Sequence, residues 1–176
     1  MNHVEKLKRL LASENLSNVE MGLQLASGLA ADNPQKMQRL IGKAMVPNIP
    51  YAAHHKHPVL WRGWKRWFKG NLTMNAAKAE TLEPHYPYIC LWLLGWQKEP
   101  IKLLHLSGKL AAFPRNIKQL CQLEEIVITD RSCSPNPANL LSVPNLKRMT
   151  LWEDGSLYQF VQKNLPNVQL TPYKGY

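Results

Sequence analysis

The sequence predicts an α/β fold in which an α-helical region, residues 1–100, precedes a stack of short parallel strands, residues 101–176. Three observations lead to this prediction. Apolar residues in the first part recur at helical spacing, those after Ile101 alternate as in half-buried strands, and the alternating pattern then returns at similar intervals. With 45% apolar residues, the 176-residue chain can form a packed core in one domain or in two small ones.

The helical prediction for the first part rests on spacing and on end signals. An apolar stripe that includes Val4, Leu7 and Leu11 indicates a first helix. The capping box "SNVE", 17–20, predicts the start of a second helix, and Pro34 suits the first position of a third. The apolar stretch "YPYICLWLLGWQ" predicts a further helix that leads into the first strand. These helices would cap the exposed edge and the end of the strand stack.

After residue 100 the pattern apolar-x-x-apolar-x-apolar occurs four times, and successive copies begin after 22, 23 and 19 residues. Its members are Ile101, Leu104 and Leu106; Leu123, Ile126 and Ile128; Leu146, Met149 and Leu151; and Leu165, Val168 and Leu170. The stretches "IKQLCQL" and "LLSVPNL" lead into two of these strands with an apolar residue at every third place, which suits a helical or 3₁₀ return segment. One strand and one return cannot cover their own apolar face, so each unit must stack on its neighbours.

The stretch from Ile101 to Ile128, "IKLLHLSGKLAAFPRNIKQLCQLEEIVI", resembles the roughly 23-residue form of the leucine-rich repeat family. Residues 12–29 are also similar to helical segments that precede such repeats in some bacterial proteins. The resemblance implies a short solenoid behind a helical cap, with a parallel sheet on its concave side. Lys109, Arg131 and Asp154 stand where the family has Asn or Cys, so we expect a weak or absent side-chain ladder at those turns.

The resemblance also implies a function, because repeats of this family bind proteins on the concave sheet. Alternation directs six candidate binding residues away from the core: His105, Glu125, Val127, Arg148, Thr150 and Trp152. Aromatic and arginine side chains are typical of binding hot spots, so we expect Trp152 to be the anchor. The alternative is that these residues only coat a solvated sheet, with Trp152 folded over its own turn. We therefore predict a non-enzymatic protein-interaction module whose partner the sequence does not name.

A basic aromatic helix over 58–69 supports an alternative function. On a helical wheel Trp64 and Trp67 share one side with three further apolar residues, and Arg62, Lys65, Arg66 and Lys69 share the other. The chain has a net charge of +10, and between residues 33 and 79 it has nine Lys or Arg and no Asp or Glu. This pattern is compatible with nucleic-acid or anionic-surface binding. An ordinary helix with its tryptophans directed inward is the other interpretation.

Other function classes have little support. There is no nucleophile-elbow, phosphate-loop or zinc-protease motif, and no cofactor is predicted. Cys133 beside Arg131 is a conceivable nucleophile with a lowered thiol pKa, although no base is identifiable. His54, His55 and His57 could hold Zn²⁺ or Ni²⁺ only with a distant fourth ligand, and a polar loop is the alternative.

Location and assembly are predicted from composition and from the last strand. The three cysteines are predicted to be unpaired, and Cys121 is expected to be buried. The sequence has no signal-peptide core and no apolar run long enough to span a bilayer. Together these features predict a cytoplasmic protein. Pro172 should blunt the C-terminal edge of the sheet; if it blunts that edge poorly, edge pairing would give a homodimer.

Overall fold

The computed structural model describes residues 2–45, 66–68, 71–75, 85–95, 101–107 and 110–175. It is a mixed α/β structure. The helices are α1 (His3–Leu11), α2 (Leu16–Leu29), α3 (Pro34–Met45), α4 (Tyr86–Leu94) and α5 (Ser156–Asn164). The strands are β1 (Arg66–Phe68), β2 (Asn71–Asn75), β3 (Leu103–Ser107), β4 (Glu125–Ile128), β5 (Arg148–Trp152) and β6 (Gln169–Tyr173).

Helices α1, α2 and α3 pack on one another, and all three were predicted from apolar spacing. Leu7, Leu23 and Ile41, one from each helix, are fully buried where they meet. The start of α3 at Pro34 is confirmed, and the side-chain oxygen of Asn33 accepts from the backbone N–H of Lys36 at 3.0 Å.

The predicted capping box of α2 is wrong. The helix begins at Leu16, one residue before the predicted box, because Asn15 is the N-cap. Its side-chain oxygen accepts from the backbone N–H of Ser17 at 2.9 Å. Asn is among the most favoured N-cap residues, so Asn15 takes the capping role that was predicted for Ser17.

The strands form one sheet in the order β1-β2-β3-β4-β5-β6. The four strands β3 to β6 are parallel and follow one another along the chain, β2 joins β3 in parallel, and β1 is antiparallel to β2. The register places Leu104, Ile126, Met149 and Leu170 in one row across the parallel strands. The first three of these are fully buried, so the inward positions predicted for β3, β4 and β5 are confirmed. The last copy of the pattern places Val168 at the position of Met149, and this alignment is wrong, because Leu170 pairs with Met149.

The helix predicted over 58–69 is wrong in its described part, because Arg66, Trp67 and Phe68 form β1. Their backbone pairs with β2, and a helical wheel takes no account of such pairing. Trp and Phe also favour strands. Arg62, Lys65 and Lys69 lie outside the described residues.

The sheet therefore begins before residue 101. In the part predicted to be helical, β2 pairs in parallel with β3, and Leu72 lies opposite Leu104. The row of paired residues that contains Leu104 thus extends to one more parallel strand, β2, which precedes β3 in the chain.

Short helical segments connect the parallel strands. A first 3₁₀ segment (Arg115–Gln119) joins β3 to β4, a second 3₁₀ segment (Ala138–Ser142) joins β4 to β5, and α5 joins β5 to β6. The 3₁₀ returns are those predicted from the spacing of three. The first packs against α4 on one side and against the second on the other. Helix α4 and the two 3₁₀ segments are thus stacked in the same order as the strands that follow them.

Asparagine side chains join neighbouring connecting segments. The amide of Asn116 donates to the carbonyl of Trp92 at 2.5 Å, and the amide of Asn139 donates to the carbonyl of Phe113 at 2.6 Å. Asn116 and Asn139 are 23 residues apart, which is also the spacing between Ile126 and Met149. Asn116 is buried, so its bond satisfies a carbonyl that has little access to water. The repeated side-chain bond lies beside the returns and not at the turns after the strands.

The helical region contacts the strand region through α4. The hydroxyl of Tyr88 donates to the carboxylate of Glu20 in α2 at 2.6 Å, and Arg115 forms an ion pair with the same carboxylate at 3.4 Å. Burial and the hydrogen bond to Glu20 raise the pKa of Tyr88 far above its ordinary value. One apolar cluster runs from Leu7 in α1 to Val161 in α5. Helices and sheet therefore share a continuous core.

Candidate functional site

The face of the sheet that points away from the core carries the predicted site. We call it the outward face and define it by the following side chains of β3, β4 and β5: Leu103, His105, Glu125, Val127, Arg148, Thr150 and Trp152. Each of them is half-buried or exposed, while the alternate residues are buried, so the direction predicted for the six candidate binding residues is confirmed. The register sets Leu103, Glu125 and Arg148 in one row and His105, Val127 and Thr150 in the next. Adjacent parallel strands are about 4.8 Å apart, so neighbours in a row lie within contact distance.

Glu125 and Arg148 form an ion pair across β4 and β5. The Nε and a terminal nitrogen of Arg148 donate to one carboxylate oxygen of Glu125 at 3.2 and 2.9 Å. The Glu125 side chain is 22% exposed and the Arg148 side chain 53% exposed. Such a pair is partly screened by water, so it contributes little to stability. It does cancel the two formal charges in the first row.

The second row is uncharged at neutral pH. The Nε2 of His105 is 2.9 Å from the hydroxyl of Thr129, which follows β4. Burial lowers the pKa of His105 from its ordinary value of 6.5, so the imidazole is mostly neutral at pH 7. Val127 and Thr150 complete the row with β-branched side chains, which are stiff at χ1. This row therefore offers a preformed, weakly polar surface.

Trp152 is half-buried and is held by three neighbours. The guanidinium carbon of Arg131 lies 4.4 Å from the ring centroid, and the Tyr173 ring meets the indole edge-on at a centroid distance of 5.0 Å. Gly175 adopts φ +63°, and a Cβ there would come within 2.8 Å of the indole ring. The indole is thus fixed in place and does not project freely into solvent.

The turns after β4 and β5 are joined by an ion pair at the two places where the family pattern would have Asn or Cys. Arg131 and Asp154, which are 23 residues apart, are joined at 3.2 Å. Lys109, the third such position, lies outside the described residues. Sequence reasoning noted the substitutions but missed this contact. Their spacing of 23 residues, which equals the spacing between Ile126 and Met149, was the signal that could have found it.

Two cysteine predictions are wrong. Cys133 is buried, and burial, with a smaller contribution from Asp130, raises the pKa of its thiol to about 12. The expected effect of Arg131 is absent because the Arg131 side chain lies over Trp152 instead. Cys121, which was expected to be buried, is exposed, because it occupies a turn after the first 3₁₀ segment.

The three histidines that could hold a metal ion, His54, His55 and His57, lie outside the described residues. No group of His, Cys, Asp or Glu in the described residues could hold a metal ion. Among the same residues, no helix has the length and apolar character needed to cross a bilayer.

Comparison with known proteins assigns no family. No family model matches the chain, and no curated protein or solved structure is significantly similar to it.

Proposed function

We propose that the chain is a non-enzymatic protein-interaction module that binds its partner on the outward face. In this proposal, β2 to β6 and their connecting segments form a short solenoid of the leucine-rich repeat type, and α1 to α3 cap it. The observation that carries the proposal is the set of four consecutive in-register parallel strands, β3 to β6. Stacked returns and the repeated asparagine bonds support it.

The outward face suits binding because it is already ordered. Its side chains come from three neighbouring strands, and cross-strand contacts hold several of them, among them His105, Arg148 and Trp152. A preorganised surface loses less side-chain entropy when it binds than a flexible one does. The half-buried Trp152 ring adds a rigid aromatic surface beside the rows, a composition typical of binding hot spots.

Arg148→Glu is expected to abolish capture of the partner while leaving the fold intact. The change places two carboxylates side by side at Glu125 and position 148, which makes this part of the face anionic. The measurement is quantitative affinity capture from native lysate, with circular dichroism to check folding. Lys163→Glu is the matched control, because Lys163 is exposed on α5, away from the outward face. Capture by Arg148→Glu at the level of the control would contradict the proposal.

A second proposed function, nucleic-acid or anionic-surface binding, is favoured by the nine cations between residues 33 and 79. This proposal rests on charge alone, because Arg66 belongs to β1 and therefore does not lie on one face of a helix.

A homodimer through β6 also stays a prediction. Pro172, near the end of that edge strand, has no N–H to offer to a second copy.

A further inference from the structure

We infer that the segment bound on the outward face is an uncharged peptide rich in apolar and hydroxyl side chains. This inference rests on the proposed function and names the chemistry of the partner. It goes against the expectation from net charge, because a chain of +10 would attract acidic partners. The local arrangement of charge on the face carries the argument.

The charges of the first row already have partners within the face. Both donors of the Arg148 interaction go to one carboxylate oxygen of Glu125. An acidic or basic partner side chain would have to compete with this pair. Separating the pair under a bound peptide would leave one charge desolvated without its counterion, which opposes binding. An uncharged side chain can cover the pair without that cost.

Within β3, β4 and β5, the second row has no charged side chain with which a charge on the peptide could pair. His105 is hydrogen-bonded to Thr129, and Val127 and Thr150 are β-branched neighbours. A charged group placed over this row would lose hydration and gain no opposite charge. Apolar and hydroxyl groups fit it, because they can cover Val127 and bond to Thr150.

The charges at the end of the face near Trp152 are also paired with each other. Arg131 and Asp154 pair with each other beside the indole ring, so a cation and an anion are again balanced locally. Charges more than about 8 Å from the face act weakly on it, because this is the Debye length at physiological ionic strength. Contacts on the face therefore outweigh the net charge in selecting a bound segment.

The test is selection of random linear peptides displayed on phage against the immobilised full chain. We expect enriched peptides with no net charge whose binding is lost in Thr150→Lys. Gln122→Lys is the matched control, because it adds the same charge at an exposed turn away from the face and should retain binding. A synthetic copy of an enriched peptide should change its Kd by less than about 2-fold when the salt concentration is raised tenfold, since no counterions are released.

A charge swap sharpens the test. The double variant Glu125→Arg/Arg148→Glu restores a neutral pair with reversed polarity, so it should bind the synthetic peptide within about 3-fold of the parent chain. Arg148→Glu alone should bind it at least about 10-fold more weakly.

The outcomes separate the two proposals. Peptides that are sensitive to Thr150→Lys but carry net charge, or whose Kd rises steeply with salt, would overturn this inference and leave the proposed function standing. A charge swap that fails to recover binding would likewise overturn the inference alone. Selection that yields no peptide sensitive to Thr150→Lys would overturn both proposals.

Discussion

Replacing Ile126 with alanine is expected to lower the free energy of unfolding by about 2–5 kcal/mol. Ile126 is fully buried and lies between Leu104 and Met149 in the row that joins three strands. Removing its side chain leaves a cavity that both neighbours line and that the paired backbone cannot close. Urea unfolding followed by circular dichroism measures the difference.

Val127→Ala is the matched control one residue further along β4. Val127 lies on the outward face and is half-buried, so its truncation should cost no more than about 1 kcal/mol, the span of strand propensity. The contrast between the two variants tests which side of the sheet is packed. Equal losses, or a larger loss at Val127, would contradict the inward position of Ile126.

Gly95→Ala is expected to destabilise the chain by about 1–3 kcal/mol through overpacking. Gly95 follows α4 and has φ −62° and ψ −15°, which alanine adopts freely, so the effect is steric. A Cβ there would lie 2.6 Å from the side-chain amide nitrogen of Asn116 and 2.7 Å from the backbone carbonyl oxygen of the same residue. The backbone oxygen cannot rotate away, and the bond from Asn116 to Trp92 would also be strained.

Gly28→Ala is the control for the glycine prediction. Nothing lies within 4 Å of a Cβ at Gly28, and the residue is exposed in α2. There alanine should stabilise the helix by about 0.5–1 kcal/mol, because it restricts the unfolded chain. Thermal unfolding of both variants gives the comparison. A Gly95→Ala chain as stable as the parent would show that α4 does not approach the first 3₁₀ segment this closely.

The buried and exposed sides of β3, β4 and β5 could be predicted because the signal for them is local. Ile126 and Ile128 alternate within one short strand, and each strand pairs with the next along the chain, so periodicity alone fixes which side is buried. The 3₁₀ returns followed from apolar residues at every third place. In α1 and α3, spacing and the Pro34 signal were sufficient for the same reason.

The failures involve contacts between parts of the chain that spacing does not report. For 66–68 a helical wheel gave a convincing amphipathic pattern, but the backbone pairs with β2. The contacts of Trp152 come from Arg131 on the preceding turn and from Tyr173 and Gly175 beyond β6. The sequence therefore predicted which side chains of the site point away from the core. It did not predict the ion pairs between them or the ring contacts of Trp152.

Disulfide trapping across the outward face tests the parallel register most directly. In a background with Cys90, Cys121 and Cys133 replaced by alanine, Val127→Cys and Thr150→Cys place two thiols on paired residues of β4 and β5. Their Cα atoms should be about 4.8 Å apart, inside the range of about 4.4–6.8 Å that a disulfide needs.

The control pair, His105→Cys with Thr150→Cys, lies in the same row but two strands apart, beyond disulfide reach. Mass spectrometry after mild oxidation should show an intramolecular disulfide in the 127/150 variant and free thiols in the 105/150 variant. Free thiols in the first variant, or a disulfide in the second, would contradict the arrangement of strands on which the proposed binding face depends.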